Sequence, residues 1–260
     1  MKSSKKGLFL LALTLLAAEL FAQEISISPN DKSVTISKDK IIFSPKKEGC
    51  EYIISGNFTG QLINKTKNTV LKLNNARIEN RQGEAAIYGE AKTEISTVEG
   101  STNHVISSGK SGEKSAAIFC RKNLELGGSG SLYVTGNVYH AVKADDVKLK
   151  GSGKFYLQGT KEGSAINCKN FISEKGKTFT ASLMNSKNGI KADQTILLES
   201  GTFCFKDNKT ALKTDTKKDD PKNPHSITLS GGTIQLNGNE NFYKTEEKSF
   251  SAKGAKITEN

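Results

Sequence analysis

The sequence has 260 residues, of which 35% are hydrophobic, and a formal net charge of +11 at pH 7. This length and apolar content suffice for one sizeable core and require no more than one folded domain. The basic balance permits acidic polymers, anionic lipid surfaces or nucleic acid as partners, and charge alone does not choose between them. The sequence contains no Gly-rich phosphate loop, nucleophile elbow or zinc motif, which argues against the enzyme classes that those motifs mark.

Residues 1–22 have the pattern of a secretory signal peptide. Three lysines precede an apolar run from Leu8 to Ala18, and Leu20-Phe21-Ala22 follows as a cleavage site. The run is shorter than the roughly 18 apolar residues that a membrane span needs. We therefore expect an exported protein without a membrane span, located in the periplasm, on the cell surface or in the medium. Residues 23–47 follow as an N-terminal strand and cap segment.

From Ala86 onwards the chain repeats a motif in which a small residue precedes a branched or aliphatic one. The motif occurs as AIYGE, AIFCR, AVKAD, AINCK, GIKAD and ALKTD. Its aliphatic positions are 31, 24, 24, 24 and 22 residues apart, and they are Ile87, Ile118, Val142, Ile166, Ile190 and Leu212. A last unit is expected to begin at Phe242-Tyr243-Lys244.

Each unit contains two further period-two segments, such as DVKL and GKFYL, so three short strands alternate with Gly-, Ser-, Asn- and Lys-rich turns. A unit of about 24 residues cannot bury its own apolar face and must stack on copies of itself. The pattern predicts an all-β fold, a right-handed parallel β-helix with three strands per coil over residues 48–260. With strands about 4.8 Å apart, about seven coils would form a rod about 34 Å long. A β-propeller or sandwich would need longer units or hairpin turns.

The period-two pattern also assigns side chains to the inside of the coil. The inward set is Leu132, Val134, Val142, Ala144, Val147, Leu149, Phe155, Leu157, Phe203, Phe205, Ile234 and Leu236. Cys120 and Cys168 lie two coils apart, so their Cα atoms should be about 9.6 Å apart, beyond disulfide reach. Both are predicted to be buried free thiols. Cys204 has outward parity, and Cys50 near the cap has no identifiable partner.

The sequence and order of these repeats resemble those of a known family. CEYIISGNFTGQL, VLKLNNARI, AIYGEAKTEISTVEGSTNHV and AVKADDVKLKGSGKFYL together are similar to bacterial exported carbohydrate-binding β-helix proteins, which bind cellulose-type and polygalacturonate-type polysaccharides. The resemblance covers Glu48 to Lys244. It implies a secreted or surface-exposed, three-faced solenoid shaped like pectate lyases, with calcium in its turns and no demonstrated lyase activity. The turns NVYHA, TKEGSA, SKNGI and DNKTA carry Tyr, Lys, Ser or Asn where that family usually has Asp, which weakens the case for calcium.

The outward side of the third strand offers a candidate carbohydrate site. Tyr133 and Tyr156 occupy equivalent positions on adjacent coils, so two aromatic rings should lie about 4.8 Å apart on a flat wall. Sugar rings stack on aromatic faces, and the flanking Lys154 and Gln158 could hydrogen-bond hydroxyls or a carboxylate. The alternative is that the tyrosine pair only stabilises the strands.

Two aspartates on consecutive coils, Asp193 and Asp215, form a candidate metal site. Their carboxylates would repel each other unless a cation neutralises them. Calcium prefers several oxygen ligands and could do so with the help of turn carbonyls, and neighbouring lysines could do so equally well.

These observations favour an exported, non-catalytic polysaccharide-binding protein that needs no cofactor and is a monomer. A β-helical surface adhesin or structural protein is the second hypothesis, and a polysaccharide lyase is the third. A lyase would need clustered acidic calcium ligands with a basic residue above the sugar, and no such cluster is evident. Nucleic acid is not expected, because Lys alternates with Asp and Glu along most of the chain. The polar run TDTKKDDPKNP at 214–224 is predicted to be a solvated loop.

Overall fold

The computed structural model describes residues 25–110, 115–215, 225–245 and 249–259, and every regular element longer than one residue in these ranges is a β-strand. The strands form three stacks, which we call the first, second and third ladders, and all pairs within a ladder are parallel. The first ladder consists of β3 (Lys40–Phe43), β5 (Gln61–Asn64), β7 (Ile87–Gly89), β10 (Ala116–Cys120), β13 (His140–Lys143), the first halves of β16 (Ser164–Ser173) and β18 (Asn188–Leu198), β20 (Thr210–Thr214) and β23 (Asn241–Lys244).

The second ladder consists of the first halves of β4 (Glu51–Thr59) and β6 (Thr69–Asn80), β8 (Thr93–Thr97), β11 (Leu124–Gly128), β14 (Asp146–Leu149), the second halves of β16 and β18, β21 (Ser226–Leu229) and β24 (Phe250–Ser251). The third ladder consists of the second halves of β4 and β6, β9 (Thr102–Ser107), β12 (Ser131–Gly136), β15 (Lys154–Gln158), β17 (Thr180–Met184), β19 (Thr202–Lys206), β22 (Thr233–Asn237) and β25 (Lys256–Glu259). The remaining strands, β1 (Ile25–Ser28) and β2 (Val34–Ile36), pair antiparallel with β4 and β3.

The register of the first ladder confirms the repeat. The predicted positions stand opposite one another in sequence order, Ile87 against Ile118, then Val142, Ile166, Ile190 and Leu212. The line continues to Tyr243 at one end and through Leu62 to Ile41 at the other. Within the described ranges this ladder has nine strands, two of which lie before Ile87, where the sequence motif is not recognisable.

The predicted inward set forms the core. All twelve side chains are at most 8% exposed, and they belong to one continuous hydrophobic cluster. Cys120 and Cys168 are buried in this cluster, and all four cysteines are free thiols. Cys204 lies on the outer side, where its thiol donates to Gln235 Oε1 at 2.9 Å. Cys50 contacts the Lys47 carbonyl oxygen at 3.3 Å.

The small residue before each aliphatic anchor has a packing reason. Ala141 is fully buried beside Val142. At Gly189 even a methyl group would not fit, since a Cβ there would lie 2.4 Å from Phe205 Cδ1. Burial at these positions accounts for the small residue of the motif.

An ion network runs along the outer side of the second ladder. Lys150 Nζ lies 2.8 Å from Glu94 Oε2 and 2.6 Å from Glu125 Oε2, and Lys92 Nζ lies 2.8 Å from Glu125 Oε1. Burial alone would raise the pKa of Glu125, but hydrogen bonds from Lys150 and Lys92 lower it to about 2. Glu94 and Glu125 stand opposite each other on paired strands, and Lys150 offsets the repulsion between their carboxylates.

Three sequence predictions concern the ends and the insertion. Parallel pairing begins at Lys40, so part of the expected cap segment 23–47 already belongs to the first ladder. The expected signal peptide 1–22 and most of the polar run 214–224 lie outside the described residues. No helix in the described part of the chain is long and apolar enough to cross a membrane.

Candidate functional site

The outward side of the third ladder carries a column of ring-bearing side chains. Strand register places Arg77, His104, Tyr133, Tyr156 and Ser182 opposite one another in that order. The two tyrosines predicted from the repeat are therefore neighbours. His104 extends the column by one strand, and Arg77 stands beyond it.

The three rings form a stack, which we call the aromatic stack (His104, Tyr133 and Tyr156). The tyrosine ring centroids are 4.3 Å apart with planes inclined by 7°, and the His104 and Tyr133 centroids are 5.0 Å apart with planes inclined by 18°. The two rings lie close to the spacing of about 4.8 Å expected from the strands, and their faces turn toward each other. Rings that project from strands about 4.8 Å apart are wider than this spacing and must turn their faces toward each other.

Stacked turns bring the two tyrosines into register. Gly128 and Gly151 end the second-ladder segment of successive units, each five residues before its tyrosine. Both have positive φ, +95° and +86°, and a Cβ on Gly151 would lie 2.4 Å from the Gly128 carbonyl oxygen. Only glycine fits this close approach of two turns, so the strands that follow start at the same level.

Among the described side chains, no second ring stacks on Tyr156. Both faces of Tyr133 are covered, by His104 and by Tyr156, whereas the other face of Tyr156 looks toward the strand of Ser182. Beyond Tyr156 the first two outward side chains of both β17 and β19 are short. We call this area the Tyr156 shelf, and its floor consists of Thr180, Ser182, Thr202 and Cys204.

Longer side chains border the shelf. Lys154 stands in line with Thr180, and Gln158 stands in line with Met184 and Lys206. Both predicted polar residues therefore flank Tyr156 on its own strand, as the sequence indicated. They offer an ammonium group and an amide next to the uncovered ring face.

At the other end of the stack, Arg77 stands opposite His104 on the neighbouring strand. Arg77 bonds Glu79 at 3.2 Å, and Arg81 bonds the same carboxylate at 2.8 Å. Burial and then the positive charge of Arg77 lower the pKa of His104, so its imidazole is neutral at pH 7 and packs as an uncharged ring. Desolvation and the adjacent Tyr156 raise the pKa of Tyr133.

The repeat pattern does not reveal His104, because 29 residues separate it from Tyr133 whereas 23 separate the two tyrosines. The segment that could have identified it is NHV, whose valine aligns with the valine of LYV. Ser182 and the shelf carry no sequence motif at all. They are part of the candidate site because they lie next to the Tyr156 ring.

The two aspartates of the candidate metal site surround a lysine. Lys191 Nζ lies 3.5 Å from Asp193 Oδ1 and 3.3 Å from the carboxylate of Asp215. This ammonium group already supplies the neutralising charge, and calcium would need about six to eight oxygen ligands. Within the described ranges no group of three or more His, Cys, Asp or Glu side chains is close enough to hold a metal ion. Among the described residues these two carboxylates are too few to hold calcium, and no step of the proposed function depends on it.

Comparisons with known proteins agree with the fold. A family model described as carbohydrate-binding domain-containing protein matches residues 30–163 and again residues 143–258. A polysaccharide lyase-like protein from C. thermocellum has a similar structure, with a TM-score of 0.59 and 19% sequence identity over 85% of this chain and 93% of that chain. No curated protein matches the sequence.

Proposed function

Because the chain belongs to the family of carbohydrate-binding domain-containing proteins, we propose that it is an exported, non-catalytic protein that binds a polysaccharide at the Tyr156 shelf. Export is inferred from the signal-peptide pattern of residues 1–22. No cofactor is required for this activity. The protein acts as a monomer that presents one outer side of its coil to the polymer.

The proposed architecture is a right-handed parallel β-helix with three strands per coil. Three parallel ladders whose paired strands are 19 to 31 residues apart support it, since each coil then contributes one strand to each ladder. Right-handedness follows from the strong preference of parallel crossover connections. An extended, straight outer side suits an extended polymer.

The uncovered face of Tyr156 carries the proposal. A sugar ring has an apolar face of C–H groups that packs on an aromatic face, and its hydroxyls lie around its edge. At the Tyr156 shelf such a ring would pack against Tyr156 above the short Ser182 side chain. Lys154 and Gln158 stand within reach of its edge as hydrogen-bonding groups.

The non-catalytic part of the proposal rests on the residues that the shelf lacks. Its short side chains are Thr, Ser and Cys, and no carboxylate pair flanks the Tyr156 face among the described residues. A polysaccharide lyase needs a base and a means of neutralising a uronate carboxylate. Incubation with polygalacturonate tests this directly, because release of unsaturated uronides, seen as ultraviolet absorbance, would overturn the non-catalytic assignment.

A glycan array probed with the purified chain tests the binding function. The array is run with calcium and with chelator, and with the variants Tyr156→Ala and Tyr243→Ala. We expect binding of one class of polysaccharide, lost in Tyr156→Ala and kept in Tyr243→Ala, which removes an exposed tyrosine on the first ladder. Equal binding with chelator would agree with a calcium-free site. No binding to any glycan in either condition would favour the adhesin or structural hypothesis.

A further inference from the structure

A second outward surface, on the first ladder, combines lysines with aromatic rings. The residue after each aliphatic anchor points outward, and strand register places these residues in one column. From one end to the other the column reads Tyr88, Phe119, Lys143, Asn167, Lys191, Lys213 and Lys244. At about 4.8 Å per strand it extends over roughly 29 Å.

The middle of this column is concave. A groove of about 280 Å³ lies here, and we call it the lysine groove, with Lys143, Lys187, Lys191 and Lys213 among its lining residues. Its floor is polar and internally bonded. The backbone N–H of Ser164 donates to His140 Nδ1 at 3.0 Å, and Asn188 Nδ2 donates to Ser164 Oγ at 3.1 Å. The ammonium groups are therefore the main charged groups that the groove offers to a ligand.

The lysines of the groove exceed the nearby carboxylates. Lys187 pairs with Glu162 at 3.5 Å, and Lys191 pairs with the two aspartates described above. Among the described residues, Lys143 and Lys213 have no carboxylate within 4.0 Å. Burial and then the positive charge of Lys191 lower the pKa of Lys213, although the nearby Asp215 carboxylate acts in the opposite direction.

Aromatic rings continue the groove at one end. Lys143 Nζ lies 5.2 Å from the centre of the Phe119 ring, and the Phe119 and Tyr88 ring centroids are 5.7 Å apart with planes inclined by 56°. Rings inclined at this angle do not cover each other's faces as the aromatic stack does. A polymer lying along the column would thus meet apolar ring surface first and ammonium groups next.

We propose that the lysine groove is a second binding site, for a polysaccharide that carries oxyanion groups, either sulfate or carboxylate. The ammonium groups of Lys143 and Lys213 bind the oxyanions, and Phe119 and Tyr88 pack against the sugar rings. The site lies on a different ladder from the Tyr156 shelf and does not depend on it. A glycan is favoured over nucleic acid by the carbohydrate-binding family to which the chain belongs.

Affinity electrophoresis of the purified chain through gels that contain dextran sulfate, polygalacturonate or unmodified dextran tests the proposal. The groove variant is Lys143→Gln with Lys213→Gln. Its matched control is Lys32→Gln with Lys175→Gln, which removes the same two charges from exposed positions outside the groove. Both variants keep every ion pair named above, so the protein's fold is not put at risk.

We expect retardation by dextran sulfate, by polygalacturonate or by both, and none by dextran through this site. The charged polymer that retards the chain identifies the oxyanion. The groove variant should bind at least tenfold more weakly, while the control and Tyr156→Ala bind within twofold of the wild type, and added salt should weaken the interaction. The proposals for the Tyr156 shelf and for the lysine groove are therefore tested independently, because each site has its own variant.

Three results would overturn the proposal. The first is absence of retardation by both charged polymers. The second is an equal loss in the groove variant and its control, which would mean that only the overall charge matters. The third is displacement of the charged glycan by single-stranded DNA at lower concentration than by the free glycan, which would identify the groove as a nucleic-acid site.

Discussion

The two tyrosines of the aromatic stack should contribute unequally to binding, although they are equivalent in the repeat. Tyr133 has a ring on each side, at 5.0 Å and 4.3 Å between centroids, so neither face can receive a sugar. Tyr156 has one uncovered face above Ser182. We therefore predict a large loss of affinity for Tyr156→Ala and a small one for Tyr133→Ala.

The magnitudes follow from what each substitution removes. Stacking of a planar ligand ring on an aromatic side chain contributes about 1–3 kcal/mol by alanine substitution in nucleic-acid complexes, and we take this as the scale for a sugar. Since about 1.4 kcal/mol is a tenfold change, Tyr156→Ala should weaken binding roughly 10- to 100-fold. Tyr133→Ala removes only support for the Tyr156 ring, an aromatic pair of about 0.5–1.5 kcal/mol, and most of this loss should appear as lower stability.

Isothermal titration with the polysaccharide identified on the array would measure both affinities, and thermal unfolding would measure both stabilities. Tyr133→Ala should bind within about fivefold of the wild type while its unfolding temperature falls. Equal losses of affinity in the two variants, or a larger loss in Tyr133→Ala, would refute the argument that only the uncovered face binds.

The remaining predictions concern stability and thiol chemistry. The lowered pKa of Glu125 stabilises the fold above the ordinary glutamate pKa, and this contribution is lost as pH falls toward about 2. Urea unfolding of Glu125→Gln should therefore show about 1–2 kcal/mol less stability at pH 7 than the wild type and little difference near pH 2. Gly128→Ala should lower the free energy of unfolding by more than about 2 kcal/mol, because its Cβ would lie 2.2 Å from a carbonyl oxygen. Gly100→Ala should cost about half as much, because φ is also positive there but nothing lies within 4 Å. In the native protein a thiol reagent should label Cys204 and leave Cys168, which is 2% exposed, unlabelled until unfolding, as peptide mapping by mass spectrometry would show.

Each of these has a contrary outcome. An unchanged pH profile in the glutamine variant would mean that the ion network does not stabilise the fold. Equal unfolding temperatures for the two alanine variants would mean that the stacked turns tolerate a methyl group. Rapid labelling of the buried cysteine would mean that the coil opens far more readily than its packing indicates.

Local pattern was sufficient for the core. Inward and outward parity alternate every residue along a strand, so Phe155, Leu157 and their equivalents could be assigned from the sequence and are buried. The repeat length aligned Ile118 with Val142 and Ile166 in the same way. The repeat could not be recognised before Ile87, because the units there lack the small-then-aliphatic motif. Their strands nevertheless pair in the same ladder.

Sequence pattern was thus enough to assign which side chains face inward, which face outward, and which outward residues share a column. How the outward side chains meet one another follows only from the folded structure. Tyr133 and Tyr156 turn their faces together, His104 covers one end, and Lys191 reaches between Asp193 and Asp215. Parity is a property of one strand, whereas ring orientation and ion pairing also depend on side chains about 23 to 29 residues away, which come close only when the strands pair in the ladders.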